Sequence, residues 1–274
     1  MSAPAAHAAA QTDYYNTDRG RPVQIEDAYT TERHAFELEL APARVEWATG
    51  AGSASWAVEP EIAYGLLPRT HLEIGVPIAF TSTSSGPRRN GVAGVELSLM
   101  HNLNAETRTV PALGLRADLL APVGPLAPER TYATFTGMLT RTFRPVRIHL
   151  NGQITAGAAP KFAPSPSSIP APPDDGIANA EPLSRWLAGV AADRAFPLHS
   201  LLLTAELLAR GPLVETDDDV ALVGGAGLRM QATPTLALDF GLGRRLDSSR
   251  GPWYVTFGTS YSFGLRALMS GENR

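Results

Sequence analysis

The chain is 274 residues long and 44% hydrophobic, with a formal net charge of −4 and no cysteine. The weakly acidic balance argues against nucleic acid as a main partner, and the lack of thiols excludes disulfide frameworks, thiolate metal sites and a cysteine nucleophile. Mean hydropathy is −0.07 and no apolar run approaches the ~18 residues a transmembrane helix needs; a β-barrel escapes that test, because only alternate strand residues face lipid.

Residues 1–10 are alanine-rich, with Ala-x-Ala spacing at Ala6-His7-Ala8 and Ala8-Ala9-Ala10. They lack the basic and apolar regions of a complete signal peptide. Two readings stand: the remnant of a signal peptide, with the mature chain starting near Gln11, or a disordered terminus. Residues 11–33 are mostly polar and too poor in apolar side chains for a core of their own. They are expected to be a periplasmic tail or a plug inside a barrel, where Asp18, Arg19, Arg21, Glu26 and Asp27 would pair with lumen charges.

From residue 34 onward the dominant signal is period-two alternation. Leu72, Ile74, Val76, Ile78 and Phe80 share one face, as do Val146, Ile148, Leu150 and Ile154, with Arg147, His149, Asn151 and Gln153 between them. Such runs predict strands at 36–47, 54–66, 70–80, 92–103, 109–120, 132–143, 146–157, 185–195, 200–209, 220–231, 234–243 and 253–263. Pro42 lies inside the first, and the apolar parity switches across it, as one extra residue in a β-bulge would cause. The connections alternate in length. Short ones fall at 67–69, 104–108, 144–145, 196–199 and 232–233, and long ones at 48–53, 81–91, 121–131, 158–184, 210–219 and 244–252. Short turns on one side and long loops on the other are the asymmetry of an outer-membrane barrel. The expected fold is therefore all-β: a membrane-spanning, antiparallel, up-and-down β-barrel of about twelve strands over 34–263. It would lie in the outer membrane of a Gram-negative bacterium, with both termini periplasmic. Trp47, Trp56, Tyr64, Phe80, Phe143, Trp186, Trp253 and Phe263 sit near strand ends, as interfacial girdles do. The Pro-rich stretch 158–184 can be neither strand nor stable helix. Residues 264–274 form a C-terminal tail.

If the apolar face meets lipid, the other face lines a lumen. Solute-path candidates are Glu59, Glu61, Glu73, Arg116, Asp118, Arg147, His149, Glu206, Arg229 and Asp239, beside Glu37, Glu39, Glu96, Arg44, Arg185, Arg245 and His71. Charges in a narrow lumen are costly unless paired. One reading is therefore a set of mutual salt bridges that fill the interior; the other is a polar conduit with a mild preference for cations or neutral solutes. Partners implied are outer-membrane lipid, a small-molecule solute and the barrel-assembly machinery, with no cofactor or metal.

Catalytic constellations are missing. No Gly-x-Ser-x-Gly, HExxH, P-loop or EF-hand pattern occurs. His101 alone among strand histidines has outward parity, and nearby Ser98 falls on the opposite face, so the two cannot form a nucleophile–base pair. Asp217-Asp218-Asp219 could meet a divalent cation, but an acidic loop is more often only solvated.

Thr17-Asp18-Arg19-Gly20-Arg21-Pro22, then Glu26-Asp27-Ala28 and Phe36-Glu37-Leu38-Glu39, resemble the start of the outer-membrane β-barrels named after the meta-pathway of phenol degradation. Gly20 stands where proline is common in that family. The resemblance implies a motif of Thr17, Asp18, Arg19 and Glu26 and movement of small hydrophobic or aromatic compounds across the outer membrane. Tyr261-Ser262-Phe263 fits the terminal aromatic signal such barrels carry, with eleven residues after it. Three functions follow in order: a channel or transporter for small solutes, a closed interaction barrel with a plugged lumen, and an outer-membrane lipid-modifying enzyme.

Overall fold

A computed structural model describes residues 15–40, 43–47, 54–82, 89–156, 185–213, 220–247 and 251–264. The alternating pattern folds into sixteen strand segments in one antiparallel sheet. In chain order they are β1 (Ala35–Glu39), β2 (Ala43–Trp47), β3 (Ala54–Val58), β4 (Glu61–Leu67), β5 (Thr70–Gly75), β6 (Ile78–Ser82), β7 (Arg89–Val92) and β8 (Val95–Asn104). There follow β9 (Ala112–Ala121), β10 (Tyr132–Phe143), β11 (Val146–Ala156), β12 (Arg185–Phe196), β13 (Leu201–Pro212), β14 (Ala221–Thr233), β15 (Leu236–Arg245) and β16 (Trp253–Gly264). The first eight segments pair end to end as four staves, so the barrel has twelve staves. β16 closes it by pairing with β15 on one side and with β1 and β2 on the other. Closure through β16 pairs almost every strand on both sides; β7, which pairs with β6 alone, is the exception among the described residues.

The four broken staves correct the continuous strands expected at 36–47, 54–66, 70–80 and 92–103. The breaks lie side by side, between β1 and β2, β3 and β4, β5 and β6, and β7 and β8. Proline explains two of them: Pro60 and Pro77 have no N–H to donate to the ladder, while Pro42 lies outside the described residues. The register across β16 moves from Glu39↔Ser260 to Ala43↔Phe257, so the first stave carries one residue more than its partner, a bulge. The breaks remain partly bridged, with Val76 donating to the Pro60 carbonyl (3.0 Å) and Ala93 to the Pro77 carbonyl (2.8 Å). Other bounds shift less. The strand expected at 109–120 begins at Ala112, so the turn after Asn104 is longer than expected, and β13 and β14 run on to Pro212 and Thr233. The segment 1–10, the stretch 158–184, Asp217-Asp218-Asp219 and the tail beyond Gly264 lie outside the described residues.

The burial pattern is that of a soluble protein turned inside out. Large apolar side chains stand exposed on the outer face, among them Ile74, Leu97, Leu115, Leu119, Phe135, Leu150, Ile154, Leu207 and Phe257. Residues between them point inward and are mostly polar: Thr136, Thr140, His149, Asn151, Asp193, Thr204, Glu206, Arg229, Asp239, Thr256 and Ser260 are all buried. Aromatics gather at both ends. Phe36 stacks on Tyr64 (4.6 Å) and Phe263 (5.4 Å) at the short-turn end, while Trp56 stacks on Phe80 (3.6 Å) and Trp47 pairs with Trp253 toward the long connections. An outer face so apolar belongs in hydrocarbon. Leu115→Arg, on the outer face of β9, should destabilise the barrel in vesicles by about 2–4 kcal/mol. Chemical unfolding checks this, and a loss below about 1 kcal/mol would show that Leu115 does not face lipid.

Candidate functional site: the occupied lumen

Residues 15–33 cross the barrel interior. Thr17, Arg21, Val23, Ile25, Glu26, Asp27 and Ala28 are all buried there. The segment has no regular ladder, so its backbone groups must find partners elsewhere, and the wall supplies them. Glu206 accepts the N–H groups of Gln24 (2.8 Å) and Ile25 (3.0 Å), and Thr140 Oγ1 accepts that of Ala28 (3.0 Å). Asn102 donates to the Ala28 carbonyl (2.5 Å), Thr256 to the Pro22 carbonyl (2.9 Å), Arg147 to the Tyr15 carbonyl and Arg229 to the Asn16 carbonyl. Thr31 N–H donates to His71 Nδ1 at 3.1 Å. Asp27 holds the plug to itself, accepting from Thr17 N–H (3.0 Å) and Tyr29 N–H (2.9 Å). Two wall glycines make room. A Cβ at Gly241 would overlap the Pro22 carbonyl, and one at Gly65 would overlap the Glu32 carbonyl.

Charges lock the same contact in both directions. Arg19 of the plug meets Glu96 and Asp118 (3.3 Å), and Arg21 meets Glu39 (2.5 Å), Asp239 (3.1 Å) and Asp18 (3.0 Å). In return, wall Arg229 reaches plug Asp18 (2.5 Å) as well as Asp239 (2.7 Å), and wall Arg116 reaches plug Glu26 (3.0 Å) as well as Glu73 and Asp118 (2.7 Å). Further round the wall, Asp193 receives Arg147 (2.7 Å) and His149 Nε2 (2.8 Å), and His71 Nε2 lies 3.1 Å from Glu73. Asp18, Glu37 and Glu39 crowd within 4.8 Å of one another, close enough to hold a cation. Their oxygens are already committed to Arg21, Arg229 and Ser260.

The sequence candidates thus fall into groups. Glu73, Arg116 and Asp118 join Arg19 and Glu26 on one side; Arg229 and Asp239 join Asp18 and Arg21 on another; Arg147 and His149 converge on Asp193; Glu206 caps plug backbone rather than an arginine. Thr17 contributes its backbone to Asp27 and to no ion pair. Glu59 and Glu61 flank Pro60 at the wall break and both come up against Gly75. No direct ion pair or hydrogen bond ties either to another described residue. Sequence reasoning missed Asp193, Arg210 and Tyr254 as members of the lumen set, although their parity within β12, β13 and β16 places each inward.

Two plug carboxyls are shifted by burial. Burial pushes Glu26 up to about 8, against the pull of Arg116, which it shares with Glu73 and Asp118; its Oε2 is buried with no hydrogen-bond partner. Burial also lifts Asp27 to about 6, against Arg147, His149 and its two backbone donors.

No family model matches the chain, and no curated protein does. Solved structures share its fold. The COG4313 outer membrane channel from Pseudomonas putida F1 superposes with a TM-score of 0.59 at 15% identity, over 90% of this chain and 100% of that one. The NanC porin gives 0.53 at 9% identity, over 82% and 98%. The KdgM porin gives 0.50 at 12%, over 83% and 99%.

Because docking raises both carboxyl pKa values, the docked plug binds more protons than the released one. Docking is then fully supported at low pH and weakens as pH rises through about 6 and about 8. Plug release, read as single-channel conductance, should increase between pH 5 and pH 9, and Glu26→Gln should remove the upper part of that rise. A conductance flat across the range would contradict it. Gly241→Val should leave the barrel heat-modifiable on gels but drive Pro22 from the wall, raising conductance at neutral pH. A barrel as silent as wild type would show that the glycine is not needed for the fit.

Proposed function

We propose that this protein is an outer-membrane channel for small solutes whose path is occluded by its own N-terminal segment. The observation that carries the reading is the build of the lumen. Among the described residues, a closed barrel with an apolar outside and a polar inside is blocked by a non-covalent segment, held through side chains that could exchange partners. The match in fold to the KdgM and NanC porins and to the COG4313 outer membrane channel supports it. So do the apolar belt and aromatic girdles, which fit the outer membrane of a Gram-negative bacterium. Tyr261 and Phe263 are offered as the signal for the assembly machinery. The resemblance carried by Thr17, Asp18, Arg19 and Glu26 points to small hydrophobic or aromatic compounds as cargo. Glu59 and Glu61, acidic and without direct partners among the described residues, would give the open path a cation preference.

A second reading has its own support. The density of ion pairs between plug and wall also suits a permanently closed barrel that serves as an interaction protein. Planar-bilayer recording separates the two. Wild type should conduct in small steps, and deletion of residues 11–33 should enlarge them several-fold. Silence from both folded proteins would favour the closed barrel. In the conducting form, Glu59→Gln with Glu61→Gln should move the reversal potential in a salt gradient toward zero selectivity; an unmoved potential would remove these two residues from the path.

A further inference from the structure

The outer face of the barrel changes character at the short-turn end. Along β10 and β12 the outward positions are uncharged until the strands end, where Arg141 and Phe143 close β10 and Arg194 and Phe196 close β12. Phe143 is exposed. Asp193 points inward and is buried, so Arg194 points outward, with its guanidinium 5.0 Å from the centre of the Phe196 ring.

The neighbouring turns add more cations. Arg108 lies in the turn between β8 and β9 and Arg144 in the turn between β10 and β11, and both are exposed. Arg141 draws these turns together. It donates to the carbonyls of Thr107 and Arg108, both at 2.6 Å, which ties the first turn to the end of β10, three residues before Arg144. The register of β11 on β12 ends at Arg147↔Asp193, so Arg194 stands level with Val146, two residues past Arg144. With neighbouring strands about 4.8 Å apart, the backbones of Arg144 and Arg194 lie within roughly 10 Å of each other.

Acid is short on this arc. Glu106 is committed to Thr142, accepting its N–H (2.8 Å) and its hydroxyl (2.7 Å), and lies 3.6 Å from Arg141. Asp193 turns inward to Arg147 and His149. Among the described residues no carboxylate pairs with Arg108, Arg144 or Arg194. The chain as a whole carries a net charge of −4, so the basic arc is a local feature.

An arginine exposed to bulk water needs no partner, but Arg194 is placed otherwise. Val190 and Ala192 precede it on the same face, opposite Leu150 and Ile148, and these side chains meet hydrocarbon. The charge therefore sits where hydrocarbon gives way to headgroups, a layer whose anion is phosphate. The guanidinium fork takes phosphate through paired hydrogen bonds, and the rings of Phe143 and Phe196 suit the same depth. Basic clusters at a membrane surface attract anionic lipid. Leu198, 97% exposed in the turn after β12, adds an apolar side chain to the same rim.

We propose that Arg108, Arg144 and Arg194 form a docking surface for the phosphate-bearing headgroup of an anionic phospholipid in the leaflet that faces the short turns. The surface lies outside the lumen, so it stands whether the path through the barrel is open or closed.

Native mass spectrometry of the detergent-refolded full chain, titrated with phosphatidylglycerol or phosphatidylcholine of the same acyl chains, tests it. Phosphatidylglycerol should bind at least fivefold more tightly. Arg144→Gln with Arg194→Gln should abolish that preference. Arg144→Lys with Arg194→Lys should keep part of it, since the charge returns without the fork. Arg89→Gln with Arg130→Gln removes the same charge near the long connections and should leave the preference as it is. Heat-modifiable migration on gels confirms that each variant folds. Equal binding of the two lipids by the wild type, or a preference that survives Arg144→Gln with Arg194→Gln, would overturn the surface. So would an equal loss on changing Arg89 and Arg130, which would show attraction by net charge alone.

Discussion

A guanidinium buried away from water is tolerable only when carboxylates meet it, and Arg21, Arg116 and Arg229 are all buried inside this barrel. Their charges are exchanged between plug and wall in both directions. The plug gives Arg21 to Glu39 and Asp239, and takes Arg229 for Asp18 and Arg116 for Glu26. Neither part is electrostatically complete without the other. Pulling out the plug would strand Arg116 among fewer acids and leave Asp239 and Glu39 without Arg21. Such a contact is strong because breaking it exposes uncompensated charge, although forming it gains little beyond the desolvation it costs. That is why the polar segment 15–33 can be ordered with few buried apolar anchors, Pro22, Val23, Ile25 and Ala28.

The wall around this plug is uneven. Four adjacent staves break, two of them at Pro60 and Pro77, which cannot donate, and the remaining eight run on as single strands. The carboxylates of Glu59 and Glu61 sit at that break, whereas Arg185 and Arg210 sit on the unbroken side toward the long connections. Closure makes this arrangement possible. With the sheet closed on itself through β16, the lumen face is free to carry charge that an open sheet would have to hide or solvate.

Much of the architecture was legible in the chain because a barrel wall is sorted by the pleat alone. Each residue's parity says whether it meets lipid or lumen, and Leu72-Glu73-Ile74 or His149-Leu150-Asn151 shows this without knowledge of any neighbour. The alternation of short and long connections added the direction of each stave. Pro42 announced a bulge because the parity changes around it. Pro60 and Pro77 kept parity across their breaks, so the runs through them read as unbroken strands. Alanine-rich β12 gave a weak signal for a physical reason: Gly189 and Ala191 face the plug and must be small beside Ile25.

The amino-acid sequence by itself therefore determined the all-β class, the approximate strand number, the sorting of side chains between lipid and lumen, and the set of charges inside. Those depend on local period and turn chemistry. Only the tertiary structure decided how the charges pair and that residues 15–33 cross the lumen. Arg116 meets Glu26, Arg229 meets Asp18, and Thr256 meets the Pro22 carbonyl across 234 positions of chain. Parity places a residue on the lumen face but says nothing of its height or of what stands opposite. Those follow from barrel closure and the stagger between staves, which no local stretch of sequence encodes.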